Sequence, residues 1–324
     1  MGYTSDASFN LQCKDLSESI TTPLTLEAIE AGAVVTFNNN ASGPVTYRVN
    51  SGAEQTIANG ASKNITLSAV GDKVQFFGNN AVYAPSGINS SSIACSKDCY
   101  VYGNIMSLVN STNFAIETEL TADYAFSHFF ENNTNIKNKT GSALLLPAIT
   151  LTRGCYSYMF SGCSSLSTAP ELPATGLAYN CYQGMFSSCA ALTTAPSLPA
   201  TILAENCYGN MFQNCTGLVN APILPATTMV KNCYNSMFEG CTSLIQAPDL
   251  PAVTLEFGCY YHMFIYCSSL NSVTCLATDI SATACVTQWL LNVAPNGTFT
   301  KAAGMSSWPR SEYGIPSGWT VNNY

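Results

Sequence analysis

One pattern of apolar and polar positions recurs five times along the chain at a spacing of 26 residues. Its first two copies read CYSYMFSGCSSLSTAPELPATGLAYN and CYQGMFSSCAALTTAPSLPATILAEN, with cysteines eight positions apart. Self-similarity at a fixed period of about 20–50 residues is typical of repeat proteins, in which each unit buries its apolar face against its neighbours. The first cysteines of the copies are Cys155, Cys181, Cys207, Cys233 and Cys259, and the second are Cys163, Cys189, Cys215, Cys241 and Cys267.

Within one copy, the apolar positions predict a short helix followed by a short strand. Counted from Cys181, they fall at offsets 0, 1, 4, 5 and 8, which is helical spacing. The next stretch, ALTTAPSLPA, carries two prolines, which favour extended backbone, so we place the paired strand residues at 192–195. If the copies stack, the phenylalanines at offset 5 form one aromatic column in the core. These are Phe160, Phe186, Phe212, Phe238 and Phe264.

The first part of the chain has a different pattern. Alternating runs such as AVVTF and VTYRVNSG, broken by Gly and Asn, predict a small all-β, sandwich-like domain. The predicted organisation is an N-terminal segment (1–23), a β-sandwich (24–80), a linker (81–124), an N-terminal cap repeat (125–154), a five-repeat solenoid (155–270) and a C-terminal cap (271–324).

Composition and charge exclude several partners. Hydrophobic residues make up 47% of the chain and charged residues only 9%, and 11 basic against 19 acidic residues give a net charge of −8. Without a cluster of Lys or Arg, no nucleic-acid partner is expected. No apolar run reaches the roughly 18–20 residues of a membrane span, so membrane insertion is not expected.

The cysteines are best explained as buried free thiols. Their number, fifteen, is odd, so they cannot all pair within the chain. Their spacing within a copy does not match the C-x2–4-C of zinc sites, so we expect no metal and no cofactor. Stacked cysteines would have parallel Cβ vectors, which disulfide geometry opposes. Cys95 and Cys99 lie outside the repeats, and for this pair a disulfide stays open.

Catalysis is not expected. The acids of the repeats are scattered, and His128 and His262, the only histidines, sit in no recognisable motif. Offsets 2 and 3 vary most among the copies, so we expect them to face solvent. The candidate ligand-binding residues there are Tyr158, Asn210, Tyr261 and His262. A second candidate surface, on the strand side, contains Ser167, Thr193, Asn220 and Gln246.

The repeat motif C-Y-x-x-M-F-x-x-C-x-x-L-x-x-A-P-x-L-P-A-T-x-L-A resembles the BspA-like branch of bacterial leucine-rich repeat surface proteins, common in gut Bacteroidetes. The likeness covers about residues 125–300 and is carried by MFSGCSSL, MFSSCAAL, MFQNCTGL, MFEGCTSL and MFIYCSSL. It implies a non-enzymatic solenoid exposed on a cell surface and used for attachment. The fold class that we predict is an α+β repeat solenoid, leucine-rich-repeat-like, with 26-residue units of short parallel strands and short helices, joined to the all-β domain.

These features predict a recognition or adhesion protein that presents its repeats to a glycan or protein ligand outside the cell or on its surface. A phage virion component, such as a fibre, receptor-binding or capsid decoration protein, would use the same repeats in a virion. A structural spacer is a third hypothesis. The sequence leaves the ligand and the oligomeric state open.

Overall fold

The computed structural model describes residues 19–85, 89–311 and 314–324, so the predicted N-terminal segment 1–23 lies mostly outside the described residues. The strands are β1 (Thr25–Ala28), β2 (Ala33–Asn38), β3 (Val45–Val49), β4 (Gln55–Ile57), β5 (Ser62–Leu67), β6 (Lys73–Gly78), β7 (Ser92–Cys95), β8 (Cys99–Asn104), β9 (Ile136–Asn138), β10 (Leu144–Leu145), β11 (Ser272–Cys275), β12 (Thr298–Lys301) and β13 (Thr320–Asn323). A 3-10 helix, Ile105–Leu108, follows β8.

Two sheets form the N-terminal part of the fold. The larger has the order β10-β8-β1-β6-β3-β4, with β9 also paired to β8, and the smaller has the order β5-β2-β7. In β2, buried and half-buried residues alternate, as expected for a strand with one face on the core. The segment 81–124, which we predicted to be a linker, contributes β7 and β8 to these sheets, where they pair with β2 and β1.

The core is continuous from these sheets into the repeats. The ring of Phe37 on β2 lies 5.0 Å from that of Phe76 on β6 and 5.9 Å from that of Phe129 in the cap repeat. One cluster of buried hydrophobic residues extends from Leu24 to Trp319. The two parts of the chain are therefore joined by packed side chains.

Hydrogen bonds alternate in direction along each CYxxMFxxC segment. The Met159 amide donates to the Tyr156 carbonyl three residues back, at 3.2 Å, whereas the Phe160 amide donates to the Met185 carbonyl of the next repeat, at 2.9 Å. The same alternation recurs in the other copies. Each copy is thus a series of turns that is bonded to its neighbour at every second residue.

The predicted α+β repeat solenoid is wrong. The structure is nearly all β, with 2% helix and 23% strand, and its sheets do not form a solenoid. Within the described residues, helix is confined to 19–21 and Ile105–Leu108, outside the five repeats. The predicted repeat strands are reduced to isolated bridges such as Thr194↔Asn220.

Backbone conformation explains why the apolar spacing does not produce helices. Every fourth residue of the turn segment has a positive φ, for example Asn180 (55°), Gly184 (59°) and Ser188 (61°). A right-handed α-helix cannot contain such residues, because all of its residues have negative φ. Offsets 0, 1, 4, 5 and 8 therefore reflect a period of four, which over nine residues resembles the helical period of about 3.6.

Equivalent aromatic residues stack from repeat to repeat. The predicted phenylalanine column is present, with adjacent rings near parallel and 5.4–5.8 Å apart from Phe130 to Phe264. A second column runs from Tyr156 to Tyr260 at 5.7–6.2 Å. Beyond it, Trp289 stacks on Tyr260, and the parallel strands β11, β12 and β13 follow. Both columns are fully buried and form the interior of the repeats.

A charged cluster connects β1 to β8 and to the loop after β9. The Tyr102 hydroxyl donates to Glu27 Oε2 at 2.7 Å, and Lys139 Nζ donates to the same oxygen at 2.5 Å. Burial raises the pKa of the Glu27 carboxyl, but the hydrogen bonds from Lys139 and Tyr102 outweigh it, so the pKa lies below its ordinary value of 4.5. The ionised form is therefore the one that the fold stabilises.

We expect Glu27→Gln to lower the free energy of unfolding by about 1–2 kcal/mol at neutral pH, because the amide replaces a charged acceptor. Since the folded-state pKa is depressed, the advantage of wild type is fully present above pH 4.5 and is lost as the pH falls through the folded-state value. Urea unfolding at neutral and acidic pH measures this difference, with the exposed Glu54→Gln as the control. A difference between wild type and Glu27→Gln that does not change with pH would contradict the assignment.

Candidate functional site

Three of the four sequence-predicted binding residues occupy one turn position. Tyr158, Asn210 and His262 have φ values of 53°, 58° and 56°, and each amide donates to a carbonyl of the next repeat. All three side chains are half-buried, as is Tyr261, although we expected them to face solvent fully. Tyr158 and His262 lie four repeats apart, so the structure does not bring the predicted residues together in one site.

Tyr158 lies in a small stack at the start of the repeats. Its ring is 5.2 Å from that of His128 and nearly parallel to it, and His128 Nδ1 is 2.8 Å from Glu131 Oε2. Gly184 leaves room for the ring, because a Cβ at this glycine would lie 2.2 Å from Tyr158 Cε1. Burial, with a smaller contribution from Glu131, raises the pKa of the Tyr158 hydroxyl.

Tyr261 and His262 form a second small group near the other end of the repeats. Their rings lie 3.8 Å apart, and His262 Nε2 is 2.9 Å from Gln288 Oε1. Both partners of His262 are thus provided by the protein itself. These contacts hold the imidazole in place and leave it less free to meet a ligand.

The proline-rich segments of the third and fourth repeats border a groove of about 650 Å³. One wall is residues 219–225 (VNAPILP) and the other residues 245–251 (IQAPDLP). Three exposed aliphatic side chains line it: Val219, Ile223 and Ile245, with 41%, 82% and 51% of their surface accessible. Its exposed polar side chains are Asn220, Gln246 and Asp249.

Proline chemistry explains why the groove stays open. The two walls meet at the Asn220↔Gln246 bridge. Beyond it, no backbone hydrogen bond joins 221–225 to 247–251 in this fully described stretch. Each wall contains two prolines, which have no amide to donate, so a ladder between the walls cannot continue.

The second surface suggested by the sequence overlaps this groove through Asn220 and Gln246. The sequence reasoning missed Ile223 and Asp249, which share one column of the repeat with Glu171 and Ser197. A column that tolerates Glu, Ser, Ile and Asp is an exposed one. An isoleucine in such a column is the signal that would have marked the groove.

The surroundings of the groove are acidic. Between residues 155 and 300, the chain has six acidic residues and a single basic one, Lys231. Lys231 Nζ lies 2.8 Å from Glu205 Oε1, so its charge is already paired. The exposed carboxyl group of Asp249 in the groove wall therefore favours a ligand with positive charge.

The buried thiols of the repeats serve the backbone. The second cysteine of each copy donates its S–H to a phenylalanine carbonyl of the preceding repeat at 2.9–3.1 Å, as Cys215 does to Phe186. Burial raises the pKa of Cys215 to about 12, so the thiol stays protonated at neutral pH. In the described ranges, no group of three or more His, Cys, Asp or Glu side chains could hold a metal ion.

Two further findings bear on the setting of the protein. None of the helices in the part of the chain that the structure describes has the length and apolar character needed to cross a membrane. The chain matches no protein-family model, no curated protein and no solved structure at a significant level.

Proposed function

We propose that this protein is a non-enzymatic recognition protein that binds a segment of a protein ligand in the groove between residues 219–225 and 245–251. The proposal is carried by the three exposed aliphatic side chains, Val219, Ile223 and Ile245, gathered on one concave surface. Exposed apolar side chains grouped in this way mark interaction sites, whereas single ones are ordinary.

The lining favours a polypeptide over a glycan. Ligand sites combine an apolar lining with a few polar groups that fix orientation, and here the apolar part is aliphatic side chains and proline rings. A glycan presents many hydroxyl groups, for which Asn220, Gln246 and Asp249 offer few partners. A peptide with aliphatic side chains and one Lys or Arg would match both the lining and the charge of Asp249.

The resemblance of the repeats to bacterial surface proteins supports attachment at a cell surface as the setting. In that setting, the scattered acids and the paired histidines need no chemical role. A repeat surface offers many equivalent positions, and variation in exposed columns tunes one of them to a ligand without disturbing the buried columns.

We expect a library of random peptides selected on the wild-type protein to be enriched in peptides with aliphatic and basic residues. Ile223→Asp should weaken the selected peptides by at least about tenfold, because it places a charge in the apolar contact. Isothermal titration with synthetic peptides measures the effect. Val70→Asp is the matched control, because Val70 is 68% exposed and lies outside the groove.

Charge reversal tests the role of Asp249. Asp249→Lys should weaken a peptide that carries Lys, and replacing that Lys by Glu in the peptide should restore binding to the variant. The proposal fails if Ile223→Asp and Val70→Asp bind the selected peptides equally well. It also fails if the protein selects no peptides but retains oligosaccharides on a glycan array.

A further inference from the structure

Cys95 and Cys99 form a close pair at the junction between the N-terminal sheets and the repeats. They flank the turn 96–98, which joins β7 to β8, and so connect the two sheets. Both are buried, with 7% and 0% of their surface exposed. The Cys95 thiol donates a hydrogen bond to the Cys99 sulfur, so the two side chains face each other.

The cap repeat fixes this turn in position. Asn133 Nδ2 lies 3.7 Å from Cys95 Sγ and donates to the Ile93 carbonyl at 3.0 Å. Asn135 Nδ2 donates to the Cys95 carbonyl at 2.6 Å, and the Cys99 amide donates to the Asn135 carbonyl at 2.9 Å. Both sulfurs are therefore held in mutual contact by a preorganised backbone.

This pair differs from the cysteines of the repeats. The second cysteine of each copy directs its thiol to a backbone carbonyl, and burial suppresses ionisation there. Cys99 alone among the fourteen cysteines of the described ranges has a lowered pKa. The hydrogen bond from Cys95 stabilises the Cys99 thiolate and outweighs both burial and the nearby carboxylate of Asp98. A thiolate is the form of cysteine that reacts with oxidants.

We propose that Cys95 and Cys99 are a peroxide-sensitive dithiol that closes to a disulfide across the turn 96–98. The Cys99 thiolate attacks hydrogen peroxide, the O–O bond breaks, and Cys99 becomes a sulfenic acid as hydroxide leaves. The Cys95 sulfur then attacks the Cys99 sulfur, forming the S–S bond, and its proton leaves with the displaced oxygen as water. In total, two thiols lose two hydrogen atoms and one peroxide molecule becomes two water molecules.

The new bond would tie the two sheets together where they meet the cap repeat. β7 belongs to the sheet β5-β2-β7, and β8 belongs to the larger sheet. A covalent link between them restrains the unfolded chain, so oxidation should raise the melting temperature of the N-terminal part. This device acts far along the chain from the groove and is independent of the proposed ligand.

Peptide mapping tests the proposal on the full chain. Cys13, which lies outside the described residues, is replaced by serine in every protein compared. Native protein is treated with a small excess of hydrogen peroxide, its remaining thiols are alkylated in urea, and it is digested with trypsin without reduction. Because Lys97 lies between the two cysteines, cleavage separates their peptides unless a disulfide holds them together.

We expect the linked peptide pair after peroxide treatment, its loss on reduction, and continued alkylation of the repeat cysteines. In Cys95→Ser, the linked pair should disappear and Cys99 should progress to sulfinic acid, since no partner thiol resolves the sulfenic acid. Alkylation of both Cys95 and Cys99 after treatment would overturn the proposal. Oxidation of the repeat cysteines at the same rate would overturn it as well, because the pair would then have no special reactivity.

Discussion

Phe212→Ala should lower the free energy of unfolding by about 3–5 kcal/mol, the cost of removing a phenylalanine from a packed core. The ring of Phe212 is fully buried and lies 5.8 Å from that of Phe186 and 5.7 Å from that of Phe238. Its removal leaves a cavity in the middle of the column, and rings held on both sides by their own repeats cannot close it. Equilibrium unfolding in urea, followed by near-ultraviolet circular dichroism, measures the loss.

A matched pair of controls separates the column from aromatic content in general. Phe257 is 44% exposed and lies outside the column, so Phe257→Ala should change the stability by no more than about 0.5 kcal/mol. Phe212→Leu keeps most of the volume and should cost less than Phe212→Ala. If Phe212→Ala and Phe257→Ala are equally stable, the column is not the core of the repeats.

Gly103→Ala should destabilise the protein by about 2–4 kcal/mol, the sum of two costs at one residue. The φ of Gly103 is 88°, which residues with a Cβ rarely adopt. A Cβ there would lie 2.2 Å from the backbone oxygen of Pro23, which cannot move away as a flexible side chain would. The residue lies on β8 beside the start of β1, so the strain acts on the centre of the larger sheet.

Gly60→Ala isolates the conformational part of this cost. Gly60 has a similar φ of 74°, but nothing lies within 4 Å of the position that an added Cβ would take. We expect about 1–2 kcal/mol for this variant, so thermal and urea unfolding should place it between wild type and Gly103→Ala. If the two glycine variants are equally stable, close backbone approach is not the reason for glycine at position 103.

The buried columns could be predicted from the sequence, and the backbone between them could not. A period of 26 residues fixes which side chains are equivalent, and burial of apolar groups then requires Phe186 and Phe212 to stack. The local conformation depends on φ at residues such as Asn180 and Ser188, whose side chains are compatible with several turns and caps. Apolar spacing alone does not distinguish a four-residue turn period from a helix.

The site was harder to predict than the core, because variability within a repeat indicates exposure but not contact with a ligand. Tyr158 and His262 lie in variable columns, yet their rings are engaged with His128 and Tyr261. The groove depends on the failure of two proline-rich segments to pair, which is a property of adjacent copies and is not visible in one copy. Ile223 was detectable only as an apolar residue in an otherwise polar column.

The alternating hydrogen bonds between repeats give the structure a polarity with two unlike ends. Every bond of this kind donates from an earlier repeat to a later one, so the first repeat is left with free acceptors. The N-terminal sheets meet them, since the amides of Tyr83 and Ile93 donate to the carbonyls of Ala125 and Phe129 at 2.8 and 2.9 Å. With that end occupied, another molecule cannot add there head to tail, and growth into a filament is blocked where stacked repeats are most prone to it.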